Sequence, residues 1–91
     1  MLASDSLLVG KKRSRTEIVA NILALTQKGE SRTNIGKKAR LNSHQLQVYL
    51  KKLTEVGLVE VNNVKRKSVY VTTEKGNCYL RRYNMLKESY T

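Results

Sequence analysis

LNSHQLQVYLKKLTEVGLVEV, Leu41 to Val61, is the stretch that decides the fold. It opens on Asn42 and Ser43, whose side chains can accept from the unpaired amides at a helix start, and Gln45 stands where it completes a capping box with Asn42. At about 100° per residue Leu46, Tyr49, Leu50 and Leu53 gather on one side. Centred on the opposite side are His44, Val48, Lys51 and Glu55, with Gln45, Gln47 and Lys52 on the flanks. Gly57 stops the segment in the left-handed conformation that glycine adopts without a Cβ clash. The stretch is therefore an amphipathic helix whose outward side carries the one histidine of the chain, two glutamines and a lysine pair.

Beyond Gly57 the apolar period shortens to two. Val59 and Val61 are expected to face one way, with Val69 and Val71 answering from a returning strand. Between them Asn62 to Lys67 reads as the turn of a hairpin with a basic tip, Lys65, Arg66 and Lys67. Upstream, the short polar connection RLNS suits a steep helix crossing. Before it lies a short helix capped by Ser31, with Ile35 and Ala39 inward and Arg32, Lys37 and Lys38 outward; Gly36 weakens it. Ser14 and Glu17 form a second capping-box pattern ahead of Ile18, Val19, Ile22, Leu23 and Leu25, a helix expected to run until Gly29. After Thr73 a last helix is expected, with Glu74 at its positive end and Tyr79, Leu80, Tyr83, Leu86 and Tyr90 at intervals of three and four. Gly76 sits early in it, where fraying costs least. At about 15 residues this helix spans on the order of 22 Å.

The chain has 91 residues, enough for one core, and its apolar fraction of 40% permits that core. It has no Trp or Phe, so five tyrosines are the bulky members, each with a hydroxyl that needs a polar partner or water. Eighteen Lys and Arg against seven acidic residues give a formal charge of +11. Such a chain accumulates on polyanions, because neutralising phosphates releases condensed counterions. No apolar run approaches the roughly 20 residues of a membrane span. One cysteine, Cys78, excludes an internal disulfide, and one His with one Cys cannot complete a structural zinc shell. No metal or other cofactor is expected, and no small-molecule ligand is evident. The opening MLASDSLLVG lacks the marks of a secretory signal, so a cytoplasmic, nucleoid-associated protein is expected. Scattered carboxylates offer no acid-base pair, and an enzyme is not expected. Residues 1–13 read as a flexible basic tail, 14–73 as the folded domain and 74–91 as a C-terminal helix.

The segments KKRSRTEIVANILAL, SRTNIGKKARLNSHQLQVYLKKLTEVGLVEV and VYVTTEKGNCYL, in that order, resemble small archaeal winged helix-turn-helix proteins over Lys11 to Leu86. The resemblance implies a mainly α fold with a small β-hairpin: three helices, a two-stranded wing and a C-terminal helix. It also implies double-stranded DNA as partner, with the third helix in the major groove, the wing on the backbone or minor groove, and a homodimer joined through the last helix.

The residue chemistry points the same way. Short and amide side chains near a helix start reach base edges, which assigns Ser43, His44, Gln45, Gln47 and Val48 to the bases. Cations clamp phosphates: Lys51 and Lys52 further along the helix, Lys37, Lys38 and Arg40 around the second helix, Lys65, Arg66 and Lys67 at the hairpin, and Lys11, Lys12, Arg13 and Arg15 in the arm. Tyr79, Tyr83, Leu86 and Tyr90 are the expected dimer contacts. The function expected is a transcription regulator or a chromatin-type architectural factor. The alternative is a protein-interaction module that uses the same scaffold within a larger assembly.

Overall fold

The computed structural model describes residues 13–90, with backbone alone at positions 89 and 90. Its elements run α1 (Arg15–Leu25), β1 (Glu30–Ser31), α2 (Arg32–Ala39), α3 (Ser43–Glu55), β2 (Val59–Val64), β3 (Lys67–Thr72) and α4 (Glu74–Tyr90). Three helices, a hairpin and a C-terminal helix thus follow in the expected order.

The local signals act as their chemistry dictates. Ser14 Oγ accepts from the Glu17 amide and the Glu17 carboxylate accepts from the Ser14 amide, both at 3.1 Å, so α1 begins on a capping box. Asn42 and Gln45 form a second box at the start of α3, with the Gln45 amide 2.8 Å from Asn42 Oδ1 and the Asn42 amide 3.1 Å from Gln45 Oε1. Ser31 Oγ caps α2 through the Asn34 amide. The core gathers Ile22 and Leu23 from α1, Ile35 and Ala39 from α2, Leu46, Leu50 and Leu53 from α3, and Val59 from β2. Tyr49, Tyr70, Tyr79 and Leu80 pack against it from outside.

Four features differ from the sequence reading. α1 ends at Leu25 with Thr26 as its cap, because buried Thr26 is drawn into a junction with β3: its hydroxyl lies 2.6 Å from that of Thr72, and its carbonyl accepts from the Thr72 amide at 2.9 Å. The sheet has three strands in the order β1-β3-β2, since Glu30 and Ser31 pair with Tyr70 and Val69. Gly29 makes that approach possible; its φ is +95°, and a Cβ there would stand 3.0 Å from Val69 Cγ1. The hairpin register also corrects the expected valine pairing. Val59 lies opposite Thr72 and Val61 opposite Tyr70, whereas Val69 and Val71 oppose Asn62 and Glu60 and so occupy the other face. The strands run to Val64 and from Lys67, which leaves Lys65 and Arg66 as a two-residue turn.

The fourth difference concerns Gly76, which is buried and not a tolerated early glycine. A methyl at that position would run into the Leu58 carbonyl and come within 2.7 Å of Thr72 Cγ2. Around it the base of α4 is stitched to the turn after α3. Thr73 Oγ1 donates to Gly57 O at 2.6 Å and accepts from the Gly76 amide, and Lys75 Nζ donates to Val56 O at 2.7 Å. Backbone has no rotamer with which to yield, so Gly76→Ala should destabilise the fold by about 1–3 kcal/mol. Urea unfolding checks this; an unchanged midpoint would contradict the close approach.

Glu30 makes a second stitch, between β1 and α2. Its carboxylate accepts from Asn34 Nδ2 at 3.0 Å and Lys38 Nζ at 3.2 Å, and these bonds, Asn34's first, hold its pKa below the usual carboxylate range. A lowered folded-state pKa contributes stability above the unfolded-chain value of about 4.3, and that contribution fades as pH falls through the folded value. Glu30→Gln should therefore melt below the wild type at neutral pH, with the gap closing in acid. A gap independent of pH would contradict the assignment.

Candidate nucleic-acid interface

With Leu46, Leu50 and Leu53 inside, α3 must turn its other side to solvent. Ser43, His44, Gln45, Gln47 and Val48 are all exposed there, Val48 at 53% despite its apolar side chain. Gln45 already spends its carbonyl oxygen on the Asn42 amide, so a bidentate contact from it to adenine would open the capping box. Gln47 lies one turn's edge away from that constraint. Lys51 and Lys52 follow on the same exposed side.

Arg15, the first residue of α1, is brought beside this surface. It lines a groove of about 600 Å³ with Val48, Tyr49, Lys51, Lys52 and Glu55. Arg13 reaches the opposite end of the helix-turn-helix, where its Nη2 donates to Arg40 O at 3.1 Å. Arg40 itself sits in the left-handed region, φ 58°, and the Leu41 amide closes the turn onto Gly36 O at 3.0 Å. Lys37 is exposed nearby, whereas Lys38 is tied to Glu30. Lys65, Arg66 and Lys67 are exposed at the hairpin tip. Lys11 and Lys12 lie outside the described residues.

The four residues expected at a dimer contact are not equivalent. Tyr79 is half-buried against the domain's own core and Tyr83 is half-buried beside α1, but Leu86 is 60% exposed and its neighbour Met85 67%. The Tyr90 side chain lies outside the described residues. Among the described residues no helix is long and apolar enough to cross a membrane, and no three His, Cys, Asp or Glu side chains stand where they could hold a metal ion.

One cation near α3 was not assigned a contact from the sequence. Arg32, at the start of α2, donates from Nη2 to Ser43 O at 3.3 Å and borders a cleft with Gln47, Lys51 and Tyr70. Its spacing on α2 signals an outward residue and nothing more; only the crossing of α2 over α3 shows what it faces.

Solved structures share this geometry. Sso10a-2, a DNA-binding protein from Sulfolobus solfataricus, aligns with a TM-score of 0.74 at 25% identity, covering 85% of this chain and 84% of that one. A mutant of Staphylococcus aureus MepR bound to an oligodeoxyribonucleotide aligns with a TM-score of 0.70 at 14% identity, over 81% of this chain. A mutant of Lactococcus lactis ZitR gives 0.67 at 21% identity over 86%. The chain spans 56% of MepR and 55% of ZitR, and at those identities the likeness is one of fold. Among curated proteins no sequence matches. The sequence itself matches the winged helix-turn-helix family over residues 12–90, and with helices and strands in the order described, the chain belongs to that family.

Proposed function

We propose that this chain binds double-stranded DNA as a transcription regulator or chromatin-type architectural factor, with α3 in the major groove and the basic hairpin on the backbone. One observation carries the reading beyond charge alone. Among the described residues, the non-glycine positions with positive φ are Arg40 at 58°, Lys65 at 47° and Arg66 at 69°. Each left-handed non-glycine residue costs on the order of 1 kcal/mol. Asn or Gly would occupy these turns more cheaply. Three strained positions, all cationic and all at turns next to α3 or at the hairpin tip, make sense if the charge is used there.

Support also comes from the relatives: Sso10a-2 is a DNA-binding protein, and the MepR structure holds an oligodeoxyribonucleotide. On α3 the exposed amides and hydroxyl near the N-terminus suit base edges, and the later lysines suit phosphates. No arginine lies on α3 to pair with guanine, so sequence preference is modest and affinity leans on charge. A regulator protects discrete sites at moderate salt; an architectural protein coats the duplex evenly. Two copies joined through α4 would cover Met85 and Leu86, which the fold leaves exposed.

If about six cations engage phosphates, log affinity for a generic duplex should fall against log salt with a slope near −5. A flat dependence would remove the reading. Replacing the hairpin turn by Lys65→Asn with Arg66→Gly should raise the melting temperature, since the strain is relieved, while duplex affinity drops and the slope flattens by about 2. Equal or tighter binding would deny the hairpin its role. For self-association, light scattering should show a dimer that Leu86→Glu dissociates; a monomer in both chains would contradict the α4 contact.

A further inference from the structure

We propose that the cleft between α3 and the hairpin is a phosphodiester-binding notch, in which Arg32 and Lys51 hold one backbone phosphate of the duplex and Val61 and Tyr70 receive the adjoining sugar. This rests on the DNA-binding reading and names a contact within it.

The cleft, about 280 Å³, is bordered by Arg32, Gln47, Lys51, Thr54, Val61 and Tyr70. Two of these are cations and none is a carboxylate. The groove on the other flank of α3 differs, because there Glu55 stands among Arg15, Lys51 and Lys52. Arg32 is half-buried, and its guanidinium donates to the Ser43 carbonyl at 3.3 Å. A carbonyl orients a guanidinium but carries no formal charge to neutralise it. Glu30, two residues away, is committed to Asn34 and Lys38, and among the described residues no ion pair to Arg32 is present. A partly desolvated, oriented and unneutralised guanidinium has its remaining N–H donors in the fork that matches two phosphate oxygens.

The other walls specify what kind of phosphate. Thr54 is not a donor to a ligand, because its hydroxyl already lies 2.9 Å from both Leu50 O and Lys51 O. Val61 is 44% exposed although it is apolar, and the half-buried Tyr70 opposite it packs against the core and so forms a fixed wall. Apolar surface beside a cation pair fits a phosphate that carries carbon substituents. Free inorganic phosphate would leave Val61 and Tyr70 without a partner. The notch also lies between α3, proposed for the major groove, and the hairpin, proposed for the backbone, where a single held phosphate would fix the register of α3 along the duplex.

The test is duplex affinity across a salt series for wild type, Arg32→Gln and Arg32→Lys, repeated with duplexes carrying one neutral methylphosphonate at successive positions. Arg32→Gln should weaken binding about tenfold and flatten the salt slope by about 0.9, and Arg32→Lys should restore the slope with only part of the affinity. One methylphosphonate position should weaken wild type strongly and Arg32→Gln little; should that variant fail to fold, the same scan on wild type and Arg32→Lys carries the comparison. Wild-type affinity and slope in Arg32→Gln, or no position whose neutralisation depends on residue 32, would overturn the notch while salt-dependent binding by wild type leaves the DNA reading intact. Absence of duplex binding by wild type would overturn both. Inorganic phosphate at the same ionic strength should compete no better than chloride; efficient competition would show a free-anion site and overturn the assignment to a phosphodiester.

Discussion

Rotation of α3 about its own axis is set by the burial of Leu46, Leu50 and Leu53, each 3% exposed, and the surface proposed to meet DNA follows from that rotation. Fully burying one leucine is worth about 1.5–3 kcal/mol, so three of them represent a large part of the roughly 5–15 kcal/mol by which a domain is stable. Turning the helix far enough to hide His44, Gln47, Val48 and Lys51 would expose those leucines and forfeit much of the fold. The Asn42–Gln45 capping box fixes the start of the helix, and the left-handed turn at Arg40 fixes its crossing with α2. The exposed amides and lysines are thus a consequence of packing as much as of composition.

Polar stitches make α3, the hairpin and α4 one piece. Thr73 and Lys75 reach back to the Gly57 and Val56 carbonyls, and the Thr26 and Thr72 hydroxyls meet in a buried junction between α1 and the end of β3. Buried hydroxyls are costly unless they are paired, so these contacts specify geometry more than they add stability. Their result is that the base of the hairpin is tied to the end of α3 and to α1. A surface built from two elements needs that constraint if both are to meet one duplex.

Much of this arrangement was legible in the sequence, because its signals are local. Ser14 with Glu17 and Asn42 with Gln45 announce helix starts through hydrogen bonds spanning three residues, and the 3.6-residue period of Leu46, Leu50 and Leu53 declares the buried side of α3 before any partner is known. What stayed hidden depends on contacts distant in the chain. A two-residue strand, Glu30–Ser31, is too short to show a period. The hairpin register slipped by one because valines on both strands and both faces offered two pairings of similar quality, and Thr72 was chosen for its bond to Thr26, 46 residues away. Gly76 resembled a tolerable flaw because only the path of Leu58 reveals that no Cβ fits. Arg32 was one outward cation among several until α2 was laid across α3.

The central claim, that the outward side of α3 and the hairpin tip together form the duplex-binding surface, is tested most directly by following backbone amide resonances during titration with a short duplex. The account predicts that shifts concentrate at residues 43–48, 51–52 and 65–67, and diminish as salt is raised. Shifts confined to the outward side of α4, with α3 and the hairpin unmoved, would contradict it.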